Sequence, residues 1–358
     1  MTRAYNFGAG PSTLPLEVLT EAQSEFLDYA GSGMSIIESS HRGKEFDAVH
    51  NEAIANVKKL FALDDNYSVL FLPGGASFQF AMLPLNLLSP NACADYTNTG
   101  AWASKAIQAA QTVGKVNIAA DTSKDRPMRI PALSDLNLTE NAAYLHVTSN
   151  ETIAGTQWKK FPETDIPLVA DMSSDILSRP IDANKFALIY AGAQKNIGPS
   201  GIALTIIRND LAKRTLETVP EILRYKTHID NNSLFNTPPT FGIYIITLVT
   251  RWLLKEGLEN VFARNVEKAA KIYDVIDSGD FYKGVAVKED RSDMNVTFRL
   301  PTEELEIRFI AEAASNNLKG LKGHRSAGGI RASIYNAFPM EGIDVFVSFM
   351  KEFEAKNG

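Results

Sequence analysis

Short apolar runs alternate with amphipathic stretches through the first two thirds of the chain. The runs that indicate strands lie at 68–72, 92–97, 142–147, 167–171, 186–190 and 202–207. The stretches with helical spacing of apolar residues lie at 15–29, 45–61, 78–87, 101–110 and 241–254. Because strands alternating with helices are typical of a largely parallel sheet covered on its faces, the predicted fold class is α/β.

The pattern changes after residue 258. A helix at 261–278 is followed by a strand at 295–300, a helix at 303–316, a glycine-rich strand region at 328–336 and a last helix from Glu341. This order is typical of an α+β unit. We therefore expect a large α/β domain at 16–258, a smaller C-terminal domain at 259–358, and an N-terminal segment at 1–15 that packs with the smaller domain.

Length, composition and charge exclude several classes of protein. A chain of 358 residues with 45% hydrophobic content suits more than one structural unit. No apolar run approaches the roughly 20 residues that span a bilayer, and the N-terminus lacks a charged-then-apolar signal. The single Cys93 suits a reducing compartment, and a net charge of −6 does not favour nucleic acid. We expect a cytoplasmic protein that binds neither membrane nor nucleic acid and has no metal site.

Lys195 is the residue with the most chemical information. It follows the apolar run 186–190 and stands between Gly-Ala-Gln and Asn-Ile-Gly-Pro-Ser-Gly, so small residues surround it and no acidic residue follows before Asp210. A lysine that is poorly solvated has a lowered pKa and a nucleophilic amine. A surface lysine in a loop is the alternative, but the flanking glycines favour close approach of a ligand.

Asp171 ends the apolar run 167–171 and lies 24 positions before Lys195. That distance leaves room for a crossover, which would bring both side chains to the carboxyl ends of neighbouring parallel strands. Pyridoxal 5'-phosphate chemistry needs this pair, a lysine to hold the aldehyde and an aspartate to keep the pyridine nitrogen protonated. An aspartate at a strand end is otherwise often a turn or cap residue.

Three further strand ends carry candidate cofactor contacts. The Gly-Gly turn after 68–72 opens a helix, and the amides of Ala76 and Ser77 at its start suit a phosphate. Trp102 could stack on a flat ring, and Thr152 could donate to a ring oxygen. A plain turn and a core tryptophan remain the alternatives for the first two.

Two His-Arg pairs, His41-Arg42 and His324-Arg325, and the nearby Arg331 suggest sites for anions in a chain of negative net charge. Arg331 begins a strand-like run, so we expect it to be fixed and to face inward. One guanidinium for an α-carboxylate and a separate cluster for a dianion would suit a phosphorylated amino acid. Solvated basic loops are the alternative.

These motifs together resemble the phosphoserine aminotransferase family, a branch of the class V aminotransferases of fold type I. The resemblance spans nearly the whole chain. It rests on Asn-Phe-Gly-Ala-Gly-Pro at 6–11, Ser-His-Arg-Gly-Lys-Glu-Phe at 40–46, Tyr-Ala-Gly-Ala-Gln-Lys-Asn-Ile-Gly-Pro at 190–199, Phe-Asn-Thr-Pro-Pro-Thr at 235–240 and the Gly-His-Arg and Gly-Gly-Ile-Arg-Ala-Ser-Ile-Tyr-Asn elements between 323 and 336.

The resemblance implies roles for individual residues. The implied contacts to pyridoxal 5'-phosphate are Ala76, Ser77, Trp102, Thr152, Asp171, Gln194 and Lys195, with Asn236 and Thr237 reaching the cofactor of the neighbouring subunit. The implied substrate contacts are His41, Arg42, His324, Arg325 and Arg331, some of them from the partner chain. Lys195 and Asp171 would be catalytic. Some members carry arginine in place of Ser77, which implies weaker cofactor retention here.

The resemblance also implies a homodimer with shared active sites and an activity. That activity is reversible amino transfer between L-glutamate and 3-phosphohydroxypyruvate, which gives O-phospho-L-serine and 2-oxoglutarate in serine biosynthesis. A second activity on 4-phosphooxy-L-threonine in pyridoxine biosynthesis is implied only as an addition. The alternatives are a cysteine desulfurase, an alanine–glyoxylate type enzyme and a non-catalytic metabolite-binding protein.

Overall fold

The computed structural model describes residues 3–358. Its strands are β1 (Tyr5–Asn6), β2 (Tyr67–Pro73), β3 (Cys93–Asn98), β4 (Lys115–Asp121), β5 (Leu145–Thr148), β6 (Asn150–Glu151), β7 (Thr156–Gln157), β8 (Leu168–Asp171), β9 (Leu188–Gly192), β10 (Ile202–Arg208), β11 (Lys283–Gly284), β12 (Asn295–Arg299), β13 (Leu318–Lys319) and β14 (Ile330–Ser333). Its α-helices are α1 (Leu16–Ser24), α2 (Lys44–Leu60), α3 (Gly75–Leu87), α4 (Ala101–Gln111), α5 (Asn209–Ala212), α6 (Tyr225–Asp230), α7 (Thr240–Glu256), α8 (Leu258–Asp277), α9 (Glu303–Ser315) and α10 (Met340–Asn357).

A seven-stranded sheet forms the centre of the molecule, in the order β2-β10-β9-β8-β5-β3-β4. The strands from β9 to β4 are parallel to one another, whereas β10 is antiparallel to both of its neighbours. The predicted α/β class is confirmed, and the sheet is mixed. Its parallel strands are apolar on both faces because helices cover both, as the buried patterns of β8 and β9 show.

Most predicted helices agree with the structure to within three residues at each end, but α1 ends five residues earlier than predicted. The chain after Ser24 turns back instead, and the Asp28 carboxylate accepts a hydrogen bond from the Gly33 amide at 2.8 Å. Phe26 and Leu27, which suggested a longer helix, are exposed. The apolar periodicity therefore continued past the end of the helix into a surface loop.

A second, three-stranded antiparallel sheet, β11-β12-β14, lies in the C-terminal third and packs with α8, α9 and α10. Phe7 belongs to this apolar cluster, and β1 pairs with β13. Helix α8 contributes Val261 to the core of the large sheet and Ile272 to the C-terminal core. None of the helices within residues 3–358 is long and apolar enough to cross a membrane.

Candidate active site

The predicted meeting of Asp171 and Lys195 at one sheet edge is confirmed. Strands β8 and β9 are parallel neighbours, with Asp171 paired to Tyr190, and Lys195 lies three residues beyond the end of β9. Both side chains line one pocket of about 340 Å³. The carboxyl ends of parallel strands thus form its floor, where α/β sheets bind ligands.

The Lys195 amine has a single hydrogen bond among the described residues, donated from Nζ to Thr152 Oγ1 at 2.7 Å. Burial lowers the pKa of Lys195 to about 8, although the carboxylates of Asp171 and Glu151 act in the opposite direction. Desolvation disfavours the ammonium form, so roughly a tenth of the amine is unprotonated at pH 7, far more than for a solvated lysine. This is the property that the flanking small residues predicted.

The Asp171 carboxyl is fixed on one side only. Its Oδ1 accepts hydrogen bonds from the Ser173 amide at 2.9 Å and the Ser173 hydroxyl at 2.5 Å. Its Oδ2 has no partner within residues 3–358. Burial raises the pKa of Asp171, while the Ser173 hydrogen bonds and the charge of Lys195 lower it. With Oδ1 held by Ser173 and Oδ2 free among the described residues, the carboxylate is suited to accept a hydrogen bond from a protonated ring nitrogen.

Helix α3 opens toward the pocket through a left-handed turn. Gly74 has φ +94° and Gly75 has φ +66°. The amides of Ala76 and Ser77 follow in the first turn of the helix, where no side chain among the described residues caps them. A Cβ on Gly74 would lie 2.8 Å from Phe78. Free amides at a helix start, on the pocket wall, can hold a phosphate.

Several buried polar atoms of the pocket lining lack partners in residues 3–358. These atoms are Trp102 Nε1, Thr148 Oγ1, Gln194 Oε1 and Arg331 Nε. Buried polar groups are normally paired, so their presence together favours a polar ligand. The indole of Trp102 lies over the pocket, with its ring centroid 5.5 Å from Lys195 Nζ. The lining fits pyridoxal 5'-phosphate: an amine, a carboxylate, a flat ring and a phosphate cradle.

Residues to which the sequence analysis gave no individual role complete the pocket. The Ser12 amide donates to the Gln194 carbonyl at 3.0 Å, and the Ser12 hydroxyl donates to the Lys195 carbonyl. Ala9 and Gly10 line the pocket beside them. Glu151 lies buried behind Trp102. The N-terminal contact joins residues more than 180 positions apart, so no local signal could have revealed it.

The structure does not bring every candidate residue into the pocket of one chain. His324 and Arg331 line it, but Arg325 is exposed on the same loop. His41 and Arg42 lie on the turn before α2, and Asn236 and Thr237 lie in the segment before α7, outside the pocket lining. These residues remain candidates for a partner chain's site. Cys93 belongs to the strand-like run 92–97, a pattern that predicts a core position, but this prediction is wrong: Cys93 is partly exposed at the amino end of β3, opposite the pocket edge.

The chain is similar to known proteins over its whole length. The family model described as aminotransferase class-V matches residues 4–346. Phosphoserine aminotransferases from Desulfosudis oleivorans and Niallia circulans are 57% and 53% identical to it, with 99% of each chain covered. The solved phosphoserine aminotransferase structure from Bacillus circulans subsp. alkalophilus covers 99% of both chains at 53% identity, with a TM-score of 0.98.

A more distant solved structure, the pyridoxal phosphate-bound phosphoserine aminotransferase from Trichomonas vaginalis, is 40% identical, with a TM-score of 0.94 over 98% of this chain and 100% of that one. Fold, pocket and sequence thus agree, and this chain belongs to the class V aminotransferase family, on its phosphoserine aminotransferase branch.

Proposed function

We propose that this chain is a transaminase that exchanges an amino group between L-glutamate and 3-phosphohydroxypyruvate, reversibly giving O-phospho-L-serine and 2-oxoglutarate. The observation that carries the proposal is the lowered pKa of Lys195 in a pocket that also contains Asp171 and Arg331. The names of relatives 53–57% identical over the full length support the same reaction.

The cofactor of this reaction is pyridoxal 5'-phosphate, which supplies an aldehyde for covalent attachment and a conjugated ring that accepts electrons. Lys195 would hold the aldehyde, and Asp171 would face the pyridine nitrogen. Ala76, Ser77 and Gln194 would bind the phosphate, Trp102 would cover the ring, and Thr152 would contact its hydroxyl.

Lys195 would also move the proton in the chemical step. Once the substrate amine has taken its place, the free Nζ can accept the proton of the substrate Cα and return it to the adjacent reacting carbon. A pKa of about 8 suits both directions near neutral pH, since a general base works best when its pKa lies near the working pH. Thr152 Oγ1, 2.7 Å from Nζ, would orient the amine.

The anion sites would select the substrate. Arg331 is half-buried on β14, and its Nε has no partner among residues 3–358, so it suits a carboxylate that arrives with the substrate. His324 and Arg325 lie on the adjacent loop and would contribute to a second site for the phosphate. A glutamate side chain carries one negative charge at that position, and the same site would accept it.

We further propose a homodimer with shared sites. His41 and Arg42 would complete the dianion site of the neighbouring subunit, and Asn236 and Thr237 would reach its cofactor phosphate. The support is that these polar residues lie outside the pocket of their own chain, beside exposed apolar side chains such as Phe235 and Ile37. We also propose domains at 16–258 and 259–358, with 1–15 packing on the second; the separate C-terminal apolar cluster that includes Phe7 supports this division.

A titration of the first half of the reaction tests the function. Purified protein with bound cofactor is mixed with O-phospho-L-serine, L-serine or L-alanine, and loss of the absorbance of the lysine-bound cofactor is followed. We expect conversion at far lower concentrations of O-phospho-L-serine than of the other two. Equal responses would reject the anion sites as the source of selectivity, and a Lys195→Met protein with the same absorbance would reject the role of Lys195.

A further inference from the structure

The carboxyl group of Glu151 is fully buried and faces the start of α4. Its Oε1 accepts a hydrogen bond from the Ala103 amide at 2.9 Å, and its Oε2 accepts a longer one from the Trp102 amide at 3.4 Å. The helix has no cap of its own, since Gly100 occupies the N-cap position and brings no side chain. The amides of the first turn therefore depend on a residue 48 positions away.

Gly100 leaves the space that this contact needs. A Cβ at Gly100 would lie 2.8 Å from Glu151 Cδ, 2.9 Å from Oε2 and 3.1 Å from Cγ, and these three are its nearest atoms. Such distances are too short for real Cβ contacts. The carboxyl group is therefore packed directly against the backbone that begins the helix.

Glu151 lies on the short hairpin of β6 and β7. It pairs with Thr156, and the Gly155 amide donates to the Glu151 carbonyl at 2.8 Å. The next residue is Thr152, whose hydroxyl accepts the hydrogen bond from Lys195. One hairpin thus contacts both the reactive amine, through Thr152, and the helix start that carries Trp102, through Glu151.

We propose that Glu151 is a positioning residue for the proposed transamination: by holding the first turn of α4, it sets the Trp102 ring relative to the Lys195 amine and so defines the plane available to the cofactor ring. The inference rests on the proposed function only for the identity of that cofactor. Glu151 does not touch the reacting atoms; it acts through Trp102.

The chemistry of the carboxyl group shows which substitution should be tolerated. Burial raises the pKa of Glu151 to about 7, against the effects of the two amides and Lys195, so neutral and charged forms are both present near neutral pH. Glutamine has the same shape as the neutral form and keeps an oxygen acceptor for the Ala103 amide. Alanine removes the acceptor and leaves a cavity beside the helix start.

The first test compares Glu151→Ala, Glu151→Gln and the control Thr302→Ala. Thr302 caps α9, where its side chain accepts from the Leu305 amide, so this control also removes a helix cap, but away from the pocket. Two quantities are measured: the dissociation constant for pyridoxal 5'-phosphate when it is added to the cofactor-free protein, and the circular dichroism of the cofactor once bound.

We expect Glu151→Ala to weaken cofactor binding by about tenfold and to change the cofactor's dichroism. Glu151→Gln should stay within about threefold of the wild type, since the hydrogen bond to Ala103 is kept. Thr302→Ala should lower thermal stability without changing either cofactor measurement. Wild-type affinity and dichroism in Glu151→Ala, or the same changes in Thr302→Ala, would overturn the proposal.

Gly100→Ala approaches the contact from its other side, and this single variant keeps the proposal testable if Glu151→Ala folds poorly. Gly100→Ala alone should reproduce the cofactor changes of Glu151→Ala, because the new methyl group displaces the carboxyl group. In the Glu151→Ala background the same change should have little further effect, since the three atoms it strikes are gone. Full additivity would contradict the proposal. Both tests measure only how the cofactor binds, so they stay valid if the enzyme acts on a different amino-group substrate. A wild-type protein that binds no cofactor would instead refute the proposed function.

Discussion

Replacing Lys195 by methionine should stabilise the cofactor-free protein at neutral pH. The difference between the ordinary lysine pKa of 10.5 and the value of about 8 in the folded protein corresponds to about 3 kcal/mol of destabilisation. Methionine has a similar length and no charge, so it removes that cost. It also removes the hydrogen bond to Thr152, whose loss costs about 1 kcal/mol. The expected net gain at pH 7 is about 2 kcal/mol.

The sign of the pH dependence follows from proton linkage. Between pH 8 and 10.5 the unfolded chain holds a proton on Lys195 that the folded protein has lost, so the wild type gains stability as the pH rises through that range. The methionine variant has no such group. Its advantage should therefore be complete below pH 8 and should shrink by about 2 kcal/mol between pH 7 and pH 9.5.

Urea unfolding of both cofactor-free proteins, at pH 7 and 9.5 and at one fixed protein concentration, measures this difference. The matched control is Lys268→Met, which replaces a lysine that is fully buried. Lys268 Nζ donates to the carbonyls of Ile334 and Tyr335 at 2.9 and 2.7 Å and to that of Phe338 at 3.3 Å. Burial lowers the pKa of Lys268 as well, so methionine removes a desolvation cost here too. It also leaves three buried carbonyls unpaired, and because this loss is larger we expect a net destabilisation of about 3 kcal/mol. The reasoning is refuted if Lys195→Met is no more stable than the wild type at pH 7, or if its advantage is the same at pH 7 and pH 9.5.

Three further changes test the site and its supports. Asp171→Asn should lower kcat for O-phospho-L-serine at least about 100-fold while absorbance of the lysine-bound cofactor persists; unchanged kcat would exclude a role for the charge. Arg331→Lys should raise the KM for O-phospho-L-serine about tenfold, whereas the control Lys322→Ala, at an exposed position, should leave this KM unchanged. Equal KM values in the two variants would argue against a carboxylate site at Arg331. Gly155→Ala should destabilise the protein by about 2 kcal/mol in urea unfolding, because Gly155 has φ +72° and its Cβ would lie 2.3 Å from Thr297 Oγ1; a neutral effect would mean that the hairpin turn relaxes.

The parallel core of the fold could be predicted because strands covered on both faces are continuous apolar runs. The same property hid the direction of β10, whose buried run 202–207 has the same apolar pattern as its parallel neighbours. Strand β4 was not predicted at all. It is an edge strand with Lys115, Asn117 and Asp121 among its seven residues, and this polarity weakens the apolar signal.

The site could be predicted where its chemistry follows strand ends, as for Lys195, Asp171 and Thr152. Contacts made by pairing distant segments could not be predicted. Glu151 has no motif of its own, and only the hairpin of β6 with β7 and the packing of α4 give it a partner. Ser12 reaches the Lys195 carbonyl only because the N-terminal segment lies across the pocket.

Lys195 and Lys268 together show why the apolar surroundings of a lysine do not by themselves mark it as reactive. Lys268 lies on the buried face of α8, where three carbonyl oxygens of the segment after β14 accept its three protons. These hydrogen bonds fix the segment beyond Arg331, although burial lowers the pKa of Lys268 well below its usual value. Within the described part of the chain, Lys195 has one neutral hydroxyl partner and otherwise faces the pocket. Burial lowers the pKa of both lysines, so reactivity depends on access: Lys195 combines a lowered pKa with a position on the pocket wall, whereas the donors of Lys268 are occupied by carbonyl oxygens.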